Sequence, residues 1–82
     1  MQIVIDLYYF VNGMKTLQCG YFKVNLRNYK EDPDKEAARV AYEWFRQVKR
    51  DFIYEVRLHK ALYYEIDITE EVVKLKDPGT GG

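Results

Sequence analysis

Asn12-Gly13, set between two runs rich in β-branched and aromatic residues, constrains this chain more than any other feature. Asn-Gly is the preferred pair for a two-residue turn that needs positive φ at both central positions. The flanking runs, Gln2–Val11 and Met14–Leu26, therefore read as one hairpin with Val11 facing Met14. Register then follows by arithmetic. Tyr9 opposes Thr16, Leu7 opposes Gln18, Ile5 opposes Gly20 and Ile3 opposes Phe22. One face collects Ile3, Ile5, Leu7, Tyr9, Val11, Met14, Phe22 and Val24 and is the expected core face. The other face carries Val4, Tyr8, Phe10, Leu17 and Tyr21, with Cys19, Gln2, Asp6 and Lys15 among them. A contiguous apolar patch on a sheet face marks a partner surface unless another segment of the chain covers it.

The next segment reads as an amphipathic helix from about Pro33 to Arg50. Asp32 is placed to cap it, Pro33 suits its first position, and Asp34 and Glu36 put negative charge at the positive end of the dipole. Ala37, Ala41, Trp44, Phe45, Val48 and Phe52 follow helical spacing. Tyr29 to Asp32 reads as a polar connection. Beyond Phe52 the period changes to two. Tyr54, Val56 and Leu58 form one alternating set, and Leu62, Tyr64, Ile66 and Ile68 form another after Lys60-Ala61. Lys60-Ala61 lacks Gly, Asn and Asp, so either a turn or one long bent strand fits there. Glu71–Lys76 reads as a last strand or a turn of helix. The expectation is one α+β domain in which the helix packs across a mixed sheet, with Ile5, Leu7, Trp44, Phe45, Val48, Val56 and Ile66 buried together.

Composition narrows the function. Eighty-two residues make one small domain, and eight Tyr, four Phe and one Trp make it too aromatic for a disordered chain. Thirteen basic residues balance thirteen acidic ones, which removes the electrostatic case for nucleic acid or a polybasic membrane anchor. One cysteine, Cys19, excludes an internal disulfide and a cysteine zinc cluster, and it fits a reducing cytoplasm. No segment reaches the length of a membrane-spanning helix. There is no serine, and the single histidine, His59, falls on the polar phase of a strand. Catalytic and metal-binding residues are therefore expected to be absent, and the protein is not expected to be an enzyme.

The chain closes on Lys76-Asp77-Pro78-Gly79-Thr80-Gly81-Gly82. Residues 79–82 carry no apolar side chain, and residues 77–82 can extend about 20 Å. A hairpin opening at Met1-Gln2-Ile3, a single crossing helix, further strands and a Gly81-Gly82 end together resemble the ubiquitin-like β-grasp superfamily of protein modifiers and sulfur carriers. The resemblance implies a β-grasp domain over residues 1–76, its last strand parallel to its first, followed by a flexible tail over 77–82. It also implies that an E1-like enzyme, using ATP and magnesium, adenylates the carboxylate of Gly82. Gly81 would keep the approach free of a Cβ. An E2-like enzyme, a deconjugating peptidase and a protein target would be the further partners of a modifier, whereas a sulfur carrier would become a thiocarboxylate. The chain departs from the Leu-Arg-Leu-Arg-Gly-Gly ending of ubiquitin. Two other readings stand beside this one. One is a small interaction module of the phage or mobile-element type, binding a larger partner through Val4, Tyr8, Phe10, Leu17 and Tyr21. The other is a subunit that homodimerises through that face or a sheet edge.

Overall fold

The computed structural model describes residues 1–76. Their order is β1 (Gln2–Val11), β2 (Met14–Lys23), α1 (Leu26–Glu31), α2 (Pro33–Asp51), β3 (Val56–Tyr63), β4 (Ile66–Asp67) and α3 (Thr69–Lys76). The Asn12-Gly13 turn forms as expected, with φ of 51° and 80°. It sets an unbroken register from Val11↔Met14 to Gln2↔Lys23.

The sheet has the order β2-β1-β3-β4, and each of its pairings is antiparallel. The mixed sheet expected from sequence is corrected to an antiparallel one. The parallel pairing of first and last strands implied by the β-grasp resemblance is absent from the described residues. The cause lies in Thr69–Lys76, which forms a helix instead of a strand. Asp67 Oδ1 accepts the Thr69 N–H at 2.9 Å and its hydroxyl at 2.6 Å, tying down the first turn. The same Thr69 hydroxyl oxygen accepts the Ala61 N–H at 3.0 Å and so fixes α3 to β3. Glu70 and Glu71 then sit at the positive end of the helix dipole. What remains is a split arrangement in which β2 and β3 run the same way with β1 between them.

Helix α2 begins where the sequence places it, with the Asp32 side chain accepting the Lys35 N–H at 3.2 Å and Pro33 in the first turn. It lays Ala37, Ala41, Phe45 and Val48 on Ile3, Ile5, Leu7 and Tyr9 of β1, and Ile68 and Val72 close the same core. Trp44 is only partly buried, its ring tilted 50° to that of Phe22 with 4.7 Å between centroids. Gly20 makes room for that contact, because a Cβ there would come within 2.7 Å of the Phe22 ring.

Helix α1 occupies residues read from sequence as strand end and polar connection. Asn25 caps it, accepting the Asn28 N–H at 3.0 Å. The Asn25 N–H in turn donates to Glu36 Oε2 at 2.8 Å, which pins α1 to α2.

The C-terminal hairpin differs from expectation in phase. β3 runs straight through Lys60-Ala61, and its register on β1 slips between Tyr8↔Lys60 and Tyr9↔Leu58. His59 is thus an extra residue, a β-bulge. The turn falls instead at Tyr64-Glu65, both with positive φ. Ala61 and Tyr63 therefore point inward, not Leu62 and Tyr64. Ile66, expected in the core, is 46% exposed on the two-residue edge strand β4, and Met14, expected on the core face, is 72% exposed beside the turn.

Candidate interaction surface

Because β1 alternates without a break, Ile3, Ile5, Leu7 and Tyr9 point into the helix layer and Val4, Asp6, Tyr8 and Phe10 point away from it. Register carries the same face onto β2, where Tyr21 lies opposite Val4, Cys19 opposite Asp6, Leu17 opposite Tyr8 and Lys15 opposite Phe10. On β3 the face continues through Leu62 opposite Asp6 and Lys60 opposite Tyr8. All five residues proposed from sequence as a patch thus share one side of the sheet. The core helices lie on the other side, and no helix among the described residues covers this one.

Exposure follows position in the sheet. Val4, Tyr8 and Phe10, on the inner strand, are partly exposed because neighbours flank them on both sides, whereas Leu17 and Tyr21, on the edge strand, are 51% and 73% exposed. The Lys15 ammonium lies 5.7 Å from the centre of the Tyr8 ring. Lys15, Lys60 and Arg57 border the aromatic centre, and Asp6 is its nearby acid. The face is thus aromatic and apolar around Asp6, which lies at its middle between Val4 and Tyr8, with basic side chains along the hairpin-tip side.

At the hairpin-tip end the face opens into a cleft of about 630 Å³, lined in part by Phe10, Tyr54, Arg57, Leu58 and His59. The bulge turns His59 toward Phe10, with 5.2 Å between their ring centroids in an edge-to-face arrangement. Sequence reading missed this end of the surface. It placed Tyr54 in one alternating set with Val56 and Leu58, but the segment between α2 and β3 leaves Ile53 93% exposed and Tyr54 exposed beside the cleft. The signal was available in Phe52-Ile53-Tyr54, an apolar run directly after the last basic turn of the helix.

Cys19 is exposed, and its hydrogen bond to Asp6 holds the thiol above its ordinary pKa, away from the reactive thiolate. β1 lies between Cys19 and His59, so the two do not form a thiol–imidazole pair. Among the described residues no group of three or more His, Cys, Asp or Glu side chains is placed to hold a metal. Nor is any helix among them long and apolar enough to cross a membrane.

Two polar features lie in the core instead. The buried Glu36 carboxylate takes a two-point ion pair from Arg39, at 2.7 and 2.9 Å, together with the Asn25 N–H. Its pKa is held below the ordinary glutamate value, first by the Arg39 hydrogen bonds and then by that backbone donor. Tyr63, hydrogen-bonded to the Tyr29 hydroxyl, has its pKa raised mainly by burial. Both features join elements of the fold and face away from the open sheet. Gly81 and Gly82, the residues expected to be activated and transferred, lie outside the described residues. No family model, curated protein or solved structure matches this chain.

Proposed function

We propose that the protein is a small non-catalytic interaction module that binds a larger protein through the open face of its sheet. The observation that carries this reading is the asymmetry of the sheet. One side of β1 is sealed by helices, while the other presents Val4, Tyr8 and Phe10, with Leu17 and Tyr21 beside them, to solvent. A fully exposed apolar side chain forgoes about 1.5–3 kcal/mol available on burial, and the partly exposed Val4, Tyr8 and Phe10 forgo a share of that. Several such side chains grouped on a rigid sheet recover that energy together when a partner docks. Tyr8, Phe10 and Tyr21 supply the aromatic anchors that dominate such interfaces, and Tyr54 lines the cleft at the hairpin-tip end of the same face. Replacing Tyr8 and Leu17 with Glu tests the reading. The double variant is expected to keep its fold and to lose the protein partner that the wild-type chain captures. Equal capture by both would refute it.

A second proposal rests on Gly81-Gly82 in the sequence. An E1-like enzyme would activate the carboxylate of Gly82 for conjugation or sulfur transfer, as the β-grasp resemblance implies. Its test is a mass-spectrometric search for an adenylate, thioester or thiocarboxylate at Gly82 after incubation with such an enzyme, ATP and magnesium. Deleting Gly81 and Gly82 separates the two proposals. Binding through the open face survives the deletion, whereas transfer does not.

A further inference from the structure

The two edges of the sheet are built differently. β4 is two residues long and is followed at once by α3, so that edge offers little backbone to a newcomer. β2 is ten residues long, contains no proline, and keeps its register on β1 from end to end. Its charges, Lys15 and Lys23, sit near its two ends and leave Thr16–Phe22 uncharged. A long, regular edge without charge, bulge or proline in its middle is a template for another strand.

The turn determines which groups that edge presents. A two-residue turn closes on a hydrogen-bonded pair, here Val11↔Met14, and such pairs alternate along an antiparallel ladder. The even residues of β2 therefore spend their backbone groups on β1. Lys15, Leu17, Cys19, Tyr21 and Lys23 direct theirs to the free edge, with their side chains on the open face.

We infer that β2 pairs antiparallel with β2 of a second copy of this chain, about a two-fold axis at Gln18, giving an eight-stranded sheet with both open faces on one side. The outward backbone groups belong to odd residues, so only registers that pair odd with odd residues satisfy them. Two-folds at Gln18 and Cys19 are centred on the strand, and those at Leu17 and Gly20 flank them. The one at Leu17 runs Tyr21, Phe22 and Lys23 off the end of the ladder. A two-fold at Cys19 sets Lys15 against Lys23 of the partner subunit at both ends, and directly opposed like charges destabilise a sheet. A two-fold at Gly20 sets Leu17 against Lys23 of the partner subunit and runs Met14 off the end of the ladder. A two-fold at Gln18 has neither fault. It places Leu17 opposite Cys19 of the partner subunit and Lys15 opposite Tyr21 of the partner subunit, a cation beside an aromatic ring. On the other side of the sheet it places Met14 opposite Phe22 of the partner subunit. Met14 and Tyr21, at 72% and 73%, are the most exposed large apolar residues of β2, and this register covers both. The self-complementarity of β2 in that register selects a second copy over a foreign strand as occupant.

Sedimentation velocity and amide hydrogen exchange of the wild-type chain test the inference. The expected result is a concentration-dependent dimer in which the N–H groups of Leu17, Cys19 and Tyr21 exchange about 10-fold or more slowly at high than at low concentration. Cys19→Pro removes an outward-facing N–H at a position where an edge strand tolerates proline, and is expected to sediment as a monomer. Leu17→Cys, mildly oxidised, is expected to run as a covalent dimer through Cys19 of the partner subunit. A wild-type chain that stays monomeric throughout, or that protects these amides only when a different protein is added, overturns the inference. A dimer whose Leu17, Cys19 and Tyr21 amides remain unprotected overturns it as well, since association then uses another surface.

Discussion

Phe10 and His59 meet edge to face, 5.2 Å between ring centroids, where β3 carries one residue more than β1. The extra residue puts His59 and Lys60 in succession on the open side and returns Leu58 to the core side. Deleting His59 would bring Leu58 next to Lys60 and restore plain alternation. The shortened chain is therefore expected to fold, with stability changed by no more than about 1.5 kcal/mol, the upper worth of the lost aromatic pair. Denaturant melts check this, and a chain that unfolds on the deletion would show that the bulge is required for the sheet.

The Tyr9 hydroxyl is buried in the core and has no hydrogen-bond partner among the described residues, and burial raises its pKa. An unpaired buried hydroxyl opposes folding. Tyr9→Phe keeps the ring and removes the hydroxyl, so it is expected to stabilise the protein by about 1 kcal/mol. A lower melting temperature for the variant would reveal a partner for that oxygen.

Glu36 gives the fold an acid limit. Its carboxyl pKa is lower in the folded protein than in the unfolded chain, chiefly through Arg39. The resulting stability is present in full above the unfolded value, about 4.3, and is lost as pH falls through the lower folded value. Glu36→Gln is expected to cost about 1–3 kcal/mol at neutral pH and to flatten stability against pH below about 4. An unchanged acid melting profile would remove Glu36 from this role.

Adjacent aromatics on α2 divide between core and margin. Phe45 is fully buried, whereas Trp44 leans on Phe22 at the edge of the helix layer. Phe45→Ala is expected to cost about 3–5 kcal/mol, and Trp44→Ala clearly less. Equal midpoint shifts for the two variants would contradict the assignment.

What could be read from the chain depended on how strongly local chemistry fixes geometry. Asn12-Gly13 determines a turn type, the turn determines register, and register assigned each residue of the hairpin to a face. Val4, Tyr8, Phe10, Leu17 and Tyr21 were therefore legible as one patch. Asp32 and Pro33 marked the start of α2 in the same way. Tyr64-Glu65 carries no turn residue, and alternation by itself cannot reveal a bulge, so the phase of β3 and the outward turn of Leu62 were not legible. Val72, Val73 and Leu75 suit a short strand as well as a short helix. The choice was made by Asp67 and Thr69, whose hydrogen bonds appear only once the chain is folded.

The central claim is that the side of the sheet away from the helices is where a protein partner sits. Hydrogen exchange read by mass spectrometry, on the chain alone and in complex with its captured partner, tests it most directly. Protection is expected in peptides covering residues 4–10, 15–21 and 53–62, with the outer face of α2 around Arg46 and Arg50 unchanged. Protection confined to α2, with the β1 and β2 peptides exchanging as in the free chain, would contradict it.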